Sequence, residues 1–205
     1  MYNKTLHARI FYFIVGLVFI AIWFMRGFEG SISIIFISIF SAGGITITLD
    51  HIVLRKIIWK KWPNLLKFLV PIPYLGGEWK GILKSSYVDP ETQEKAGMIE
   101  ARIKITHDFD SIHVFHETNQ SYSSSYMSGI VEQGPNSSES EKFLYYLFAN
   151  NADKNRDKNP PHEGTVKLRI KTEENGDLKL MGHYWTNRKT IGEICFYRET
   201  TKSSR

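Results

Sequence analysis

The sequence predicts a membrane-anchored all-β protein: two N-terminal transmembrane helices followed by a small eight-stranded antiparallel β-barrel. Three observations predict it. Two apolar runs, Ile10–Met25 and Ser31–Leu49, hold no charged residue over 16 and 19 positions. A short, strongly basic stretch follows them. From Gly77 onward the apolar residues recur at every second position, in segments cut by turn residues.

The helices come first. A spanning helix needs about 20 mostly apolar residues, with about 17 as the lower bound. Ser31–Leu49 meets that length outright, and Leu6 and Ala8 extend the first run to it. Only residues 26–30 separate the two, so they form a tight hairpin over residues 1–49. Lys4 and Arg9 precede the first helix, five cations follow the second, and Arg26 and Glu29 cancel at the tip. Positive flanks stay inside, so both termini are expected in the cytoplasm. Ser38, Ala42 and Thr46 repeat every fourth residue on the second helix, a spacing that lets membrane helices approach closely. The partner surface is either the first helix or a second copy of the hairpin.

Residues 50–75 read as a basic, amphipathic juxtamembrane linker. Residues 50–67 carry Arg55, Lys56, Lys60, Lys61 and Lys67 against Asp50 alone, whereas residues 68–205 hold 18 cations and 19 anions. The net charge of +5 is therefore concentrated beside the membrane, where it suits anionic headgroups. A binder of polymeric nucleic acid would carry its basic patch on the soluble domain. Trp59 and Trp62 are expected at headgroup level, and Pro63 and Pro71-Ile-Pro73 end the helix.

Residues 76–199 form the barrel domain, with 200–205 a disordered tail. The alternating segments are 79–87, 98–106, 111–118, 121–132, 142–150, 164–172, 178–186 and 190–198. Trp79, Gly81, Leu83 and Ser85 share one face of the first; Ile99, Ala101, Ile103 and Ile105 share one face of the second. Eight short antiparallel strands with one apolar face bury it by closing into a barrel or stacking as a sandwich. Gly77-Glu-Trp79 at the start resembles the opening of lipocalin-like barrels. That resemblance implies a barrel closed at one end by Trp79, with Arg198 of the last strand across it. The polar run 151–161 is expected to be a mobile loop, placed to act as a lid.

No catalytic constellation assembles. His162-Glu163 lacks the second histidine of a zinc-protease helix, and His113 and His116 fall on opposite faces of one strand. No metal or cofactor is therefore expected, and the protein is not expected to be an enzyme. The single cysteine, Cys195, excludes an internal disulfide. What stands out is the number of polar groups on strand faces. Ser85, Tyr126, Tyr145, Tyr184, Thr186, Arg188 and Thr190 are the candidate ligand-binding residues: tyrosine faces stack flat rings, and arginine and hydroxyls serve phosphate. Alternation sends about half of such groups outward, so the lumen-facing set along the third to fifth strands stays open.

These parts together resemble a family. Two N-terminal helices, a basic linker, Gly77-Glu-Trp-Lys-Gly81 with Ser85-Ser86, His162-x-Gly164-Thr165, and Gly182-x-Tyr184-x-Thr186-x-Arg188-x-Thr190-x-Gly192 resemble the β-barrel effectors of cyclic-oligonucleotide-based antiphage signalling systems (CBASS). The resemblance implies a receptor in the bacterial inner membrane for a cyclic dinucleotide made by a cognate CD-NTase. It further implies homo-oligomerisation on activation, disruption of the lipid bilayer and death of the infected cell (abortive infection). The competing reading is a membrane-tethered lipocalin-like carrier or sensor of an apolar ligand, which predicts a lumen dominated by Val, Leu and Phe and binding that survives high salt.

Overall fold

The structure, a computed structural model, describes residues 2–88, 93, 95, 97–119, 121–134, 141–151 and 161–199. The expected lid loop (its residues 152–160) and the tail 200–205 lie outside them. The chain divides into two compact units: Met1–Tyr74 with Asp108–Asp110, and Leu75–His107 with Ser111–Arg205.

The first unit is helical. α1 (Lys4–Met25) is capped by Asn3, whose Oδ1 accepts from the Leu6 amide at 3.0 Å. α2 (Ile32–Thr48) continues through a wider, π-type stretch at Leu49–Ile58 and a last α turn at Trp59–Lys61. Both helices, Lys4–Met25 and Ile32–Lys61, are long and apolar enough to cross a membrane. Most of their apolar side chains, such as Phe13, Phe36 and Phe40, are exposed, as a lipid-facing surface requires. The buried residues of α2 are Ser38, Ala42 and Thr46, so within one chain the small-residue stripe is already covered where α1 and α2 pack.

Beyond α2, Pro63 starts a single 3₁₀ turn, Pro63–Leu66. Trp59, Leu66, Leu69, Val70 and Phe109 form a second core. Trp59 is fully buried there, its ring 5.9 Å from Phe109 and 5.6 Å from Tyr74. It is thus a core residue and not the headgroup anchor expected of it. Beside the core, Asp50 accepts from Arg55 Nε at 2.8 Å and bonds His7 at 2.7 Å. Arg55 Nη1 reaches Asp110 at 2.9 Å.

The second unit is a closed barrel in sequential order, each strand antiparallel to its neighbours. Its strands are β1 (Gly77–Ser85), β2 (Met98–His107), β3 (Ile112–Thr118), β4 (Tyr122–Gln133), β5 (Glu141–Asn151), β6 (His162–Thr172), β7 (Leu178–Thr186) and β8 (Ile191–Arg198). β1 pairs with β8 to close the ring, Trp79 opposite Arg198 and Ser85 opposite Gly192. Closure leaves no free edge strand. Ile103, Ile105, Ile112, Val114, Leu144, Leu168, Leu180 and Phe196 fill one half of the lumen and are almost wholly buried.

The end next to residue 75 is plugged. Trp79 is fully buried and its indole N–H donates to the Leu75 carbonyl at 3.0 Å. The Arg198 guanidinium stands 5.3 Å from the indole ring centroid and donates to the Gly76 carbonyl at 2.6 Å. His107 Nδ1 accepts the Leu75 amide at 3.0 Å. This end belongs to the barrel's own architecture.

Candidate ligand site at the unplugged end of the barrel

The other end is reached by the carboxyl ends of β1, β3, β5 and β7. Inward positions change character there. One register row runs His116, Ser123, Asn150 and His162 across β3 to β6. A second runs Tyr146, Val166, Tyr184, Gly192 and Ser85 across β5 to β8 and β1. The apolar lumen gives way to hydroxyls, imidazoles and an amide.

Tyr184 is placed by a glycine. A Cβ on Gly192 would lie 2.2 Å from Tyr184 Cε1 and 2.4 Å from the Lys84 carbonyl oxygen. Only a residue without a side chain lets the phenol ring lie against β8 there. Its hydroxyl then donates to Ser85 Oγ at 2.7 Å, and the Tyr87 amide donates to the same oxygen at 3.1 Å. Burial raises the Tyr184 pKa, while the Ser85 hydrogen bond and the nearby Arg188 charge oppose the rise. Gly164 does the same for Phe148, whose Cζ would sit 2.5 Å from its Cβ. Gly192 and Gly164 are therefore seats for rings, whereas Gly182 lets the Lys167 carbonyl approach.

The β7–β8 turn carries the cation. Lys189 takes φ 61°, and the Thr186 amide donates to the Thr190 carbonyl at 3.0 Å. The Thr186 and Thr190 hydroxyls bond each other, and Thr186 Oγ1 also accepts the Thr190 amide at 3.3 Å. Their hydroxyls hold the turn, which presents Arg188 with its guanidinium 5.8 Å from the Tyr87 ring centroid. Ser86 Oγ accepts the Ile191 amide at 2.9 Å and ties β1 to the start of β8.

Five of the seven sequence candidates (Ser85, Tyr184, Thr186, Arg188 and Thr190) thus converge on one end. Two do not. Tyr126 is the extra residue of a bulge where the β4–β5 register slips between Ser125 and Met127, and it is 58% exposed. Tyr145 faces out of the barrel, its hydroxyl accepting from Gln133 at 3.1 Å and its ring 5.5 Å from Lys167 Nζ. Its neighbour Tyr146 points in and is buried. Tyr146, His116, Ser123 and Asn150 are inward residues outside the seven candidates.

Three of these residues share a chemical signal with Arg188. Among the described residues, His116 Nε2, the Tyr146 hydroxyl, Asn150 Oδ1 and Arg188 Nε are buried with no hydrogen-bond partner. Leaving a buried polar group unpaired costs about 1–3 kcal/mol, and these four lie on the strands and the turn at one end of the barrel. Burial pushes the His116 pKa down to about 4, so the ring is neutral at physiological pH. Burial also raises the Tyr146 pKa, which keeps its hydroxyl a donor.

A cleft of about 900 Å³ lies on the outer wall of β5 to β8, β1 and the start of β2. Trp185, Met181, Ile82 and Phe143 line it together with Lys84, Lys167, Arg169, Glu141 and Glu193. Its cations are largely engaged: Arg169 pairs with Glu141, and Lys167 stands 4.3 Å from the Phe143 ring and donates to Gln133 at 3.2 Å. Among the described residues no group of three metal-ligating side chains occurs.

A barrel plugged at one end, with buried polar atoms that have no partner among the described residues at the other, has the architecture of barrels that hold one small ligand. The family model of the Cap15 cyclic dinucleotide receptor domain matches residues 70–198, and the chain belongs to that family. The family consists of CBASS effectors with N-terminal transmembrane helices, so this chain is a cyclic dinucleotide-sensing CBASS effector. No curated protein sequence matches the chain.

Proposed function

We propose that the cyclic dinucleotide binds in the unplugged end of the barrel and that its binding drives the two N-terminal helices to disrupt the bacterial inner membrane. The observation that carries the site is the set of four unpaired buried polar atoms on His116, Tyr146, Asn150 and Arg188. A cyclic dinucleotide has two flat bases with polar edges and two phosphates. Tyr184 and Tyr87 supply ring faces, worth about 1–3 kcal/mol per stacked base. Arg188 supplies charge for a phosphate. His116, Tyr146 and Asn150 supply the inward polar groups that base edges satisfy.

Both termini face the cytoplasm, where the cognate CD-NTase releases its product. Ligand stabilises contacts between barrels, the hairpins cluster, and the bilayer loses integrity. Two copies brought together by ligand require no more than a ligand that binds the clustered state better than the single one.

Calorimetry on the full chain in detergent, against a panel of cyclic dinucleotides, tests the site. One member binds, and Arg188→Ala or Tyr184→Ala weakens it by about 10- to 100-fold, the range of a lost charge-assisted bond or stacking face. Trp185→Ala, on the outer cleft, leaves affinity unchanged. Loss on Trp185→Ala with Tyr184→Ala silent would move the site to the outer wall. Absence of binding by every member to folded protein would remove the receptor reading.

A further inference from the structure

Past the end of α2 the chain makes a single 3₁₀ turn, Pro63–Leu66, and the amides of Leu65, Lys67 and Leu69 donate to the carbonyls of Trp62, Asn64 and Leu66, so side chains three apart fall on similar faces. Three ridges result. Pro63, Leu66 and Leu69 form one, with Leu66 and Leu69 buried in the core of the first unit. Trp62, Leu65 and Phe68 form the next, and these large apolar side chains are 56, 63 and 60% exposed. Lys61, Asn64 and Lys67 form the third, all exposed. Neither lysine makes an ion pair among the described residues, whereas Lys60 pairs with Asp108 at 3.5 Å.

We propose that the Trp62–Leu65–Phe68 ridge lies in the headgroup layer of the bilayer, with Lys61 and Lys67 on anionic phospholipid phosphates. Two observations choose a lipid surface as the occupant. The ridge begins one residue after the candidate span Ile32–Lys61 ends, so it is continuous with a lipid-facing helix. It also returns to the level of the first helix, because the Asn3 amide donates to the Leu69 carbonyl at 2.9 Å, beside the first turn of α1. An apolar ridge flanked by unpaired lysines is what an interfacial segment presents: rings and chains into the acyl boundary, ammonium groups to phosphate.

The inference rests on the reading that the hairpin spans a bilayer, and the test separates the two. The full chain is reconstituted in vesicles of phosphatidylcholine, with or without phosphatidylglycerol, carrying bromines at defined acyl depths. Subtracting the emission of Trp62→Phe from that of the parent isolates Trp62, and Trp23→Phe isolates Trp23 within α1 as the marker of insertion. Shallow bromines are expected to quench Trp62, more strongly with phosphatidylglycerol, and Lys61→Gln with Lys67→Gln is expected to abolish that lipid dependence. Quenched Trp23 with unquenched Trp62 overturns the inference and leaves the spanning reading intact. That holds whether the Trp62 emission is water-like or blue-shifted by a protein neighbour. Quenching of Trp62 that ignores both lysines overturns the anionic-lipid part. Both tryptophans unquenched overturns spanning and inference together.

Discussion

His116 sits half-buried on an inward position of β3, its Nε2 buried and its ring 5.8 Å from Phe196, edge to face. Burial alone lowers its pKa from 6.5 to about 4. The unfolded chain therefore binds a proton more readily than the folded one between those values, and stability rises with pH across that window. This contribution is complete above about pH 6.5 and is lost as pH falls toward 4, amounting to a few kcal/mol at most, at 1.36 kcal/mol per unit. Thermal melts of the His116→Gln variant are expected to lose less stability than the parent between pH 6.5 and 4. Parallel curves would mean that the ring is solvated and unavailable as a neutral partner for a ligand.

At the scale of elements, the β7–β8 hairpin shows why a sequence motif and a binding site are different objects. Gly182, Tyr184, Thr186, Arg188, Thr190 and Gly192 recur every second residue, and period two made their shared face legible from the sequence. Their division of labour was not. Thr186 and Thr190 close the turn on each other, Gly192 vacates the space that Tyr184 fills, and Arg188 projects from the turn. Gly192→Ala tests this. Its Cβ would meet Tyr184 and the Lys84 carbonyl, and overpacking of this kind costs about 1–3 kcal/mol. The expected outcome is a ligand affinity as low as that of Tyr184→Ala in a barrel that still melts cooperatively. Full affinity would show that the Tyr184 ring is not part of the seat.

β5 explains the other misplacement. Phe143, Tyr145 and Leu147 alternate with Leu144, Tyr146 and Phe148, so both faces are apolar and aromatic and the pattern does not choose between them. Of the outer set Phe143 lines the outer cleft; the inner set is the lumen. In β4 the bulge at Tyr126 resets the alternation midway, and nothing in Ser-Ser-Ser-Tyr-Met-Ser announces it. The membrane helices were legible for the opposite reason, since charge-free length is a signal that needs no register.

At the scale of the whole molecule, the small-residue stripe of α2 is occupied inside a single chain by the hairpin itself. Clustering through that stripe therefore requires the hairpin to open or its neighbours to use another face. Ala42 is fully buried, and Ala42→Leu adds volume where none is free. Dye leakage from vesicles on addition of ligand is expected to fall, with calorimetric affinity for the ligand unchanged. Undiminished leakage would take this stripe out of the mechanism.

The β1–β8 seam has a consequence in time. β1 is made early and β8 late, and Trp79 meets Arg198 only after every intervening strand has left the ribosome. Pairings of such sequence separation are slow to form. Both apolar helices precede the barrel in the chain, so they are available to the membrane while the lumen has no wall on one side. The order of synthesis therefore builds the anchor before the sensor: a newly made chain is held in place but deaf to its messenger until its last strand closes the ring.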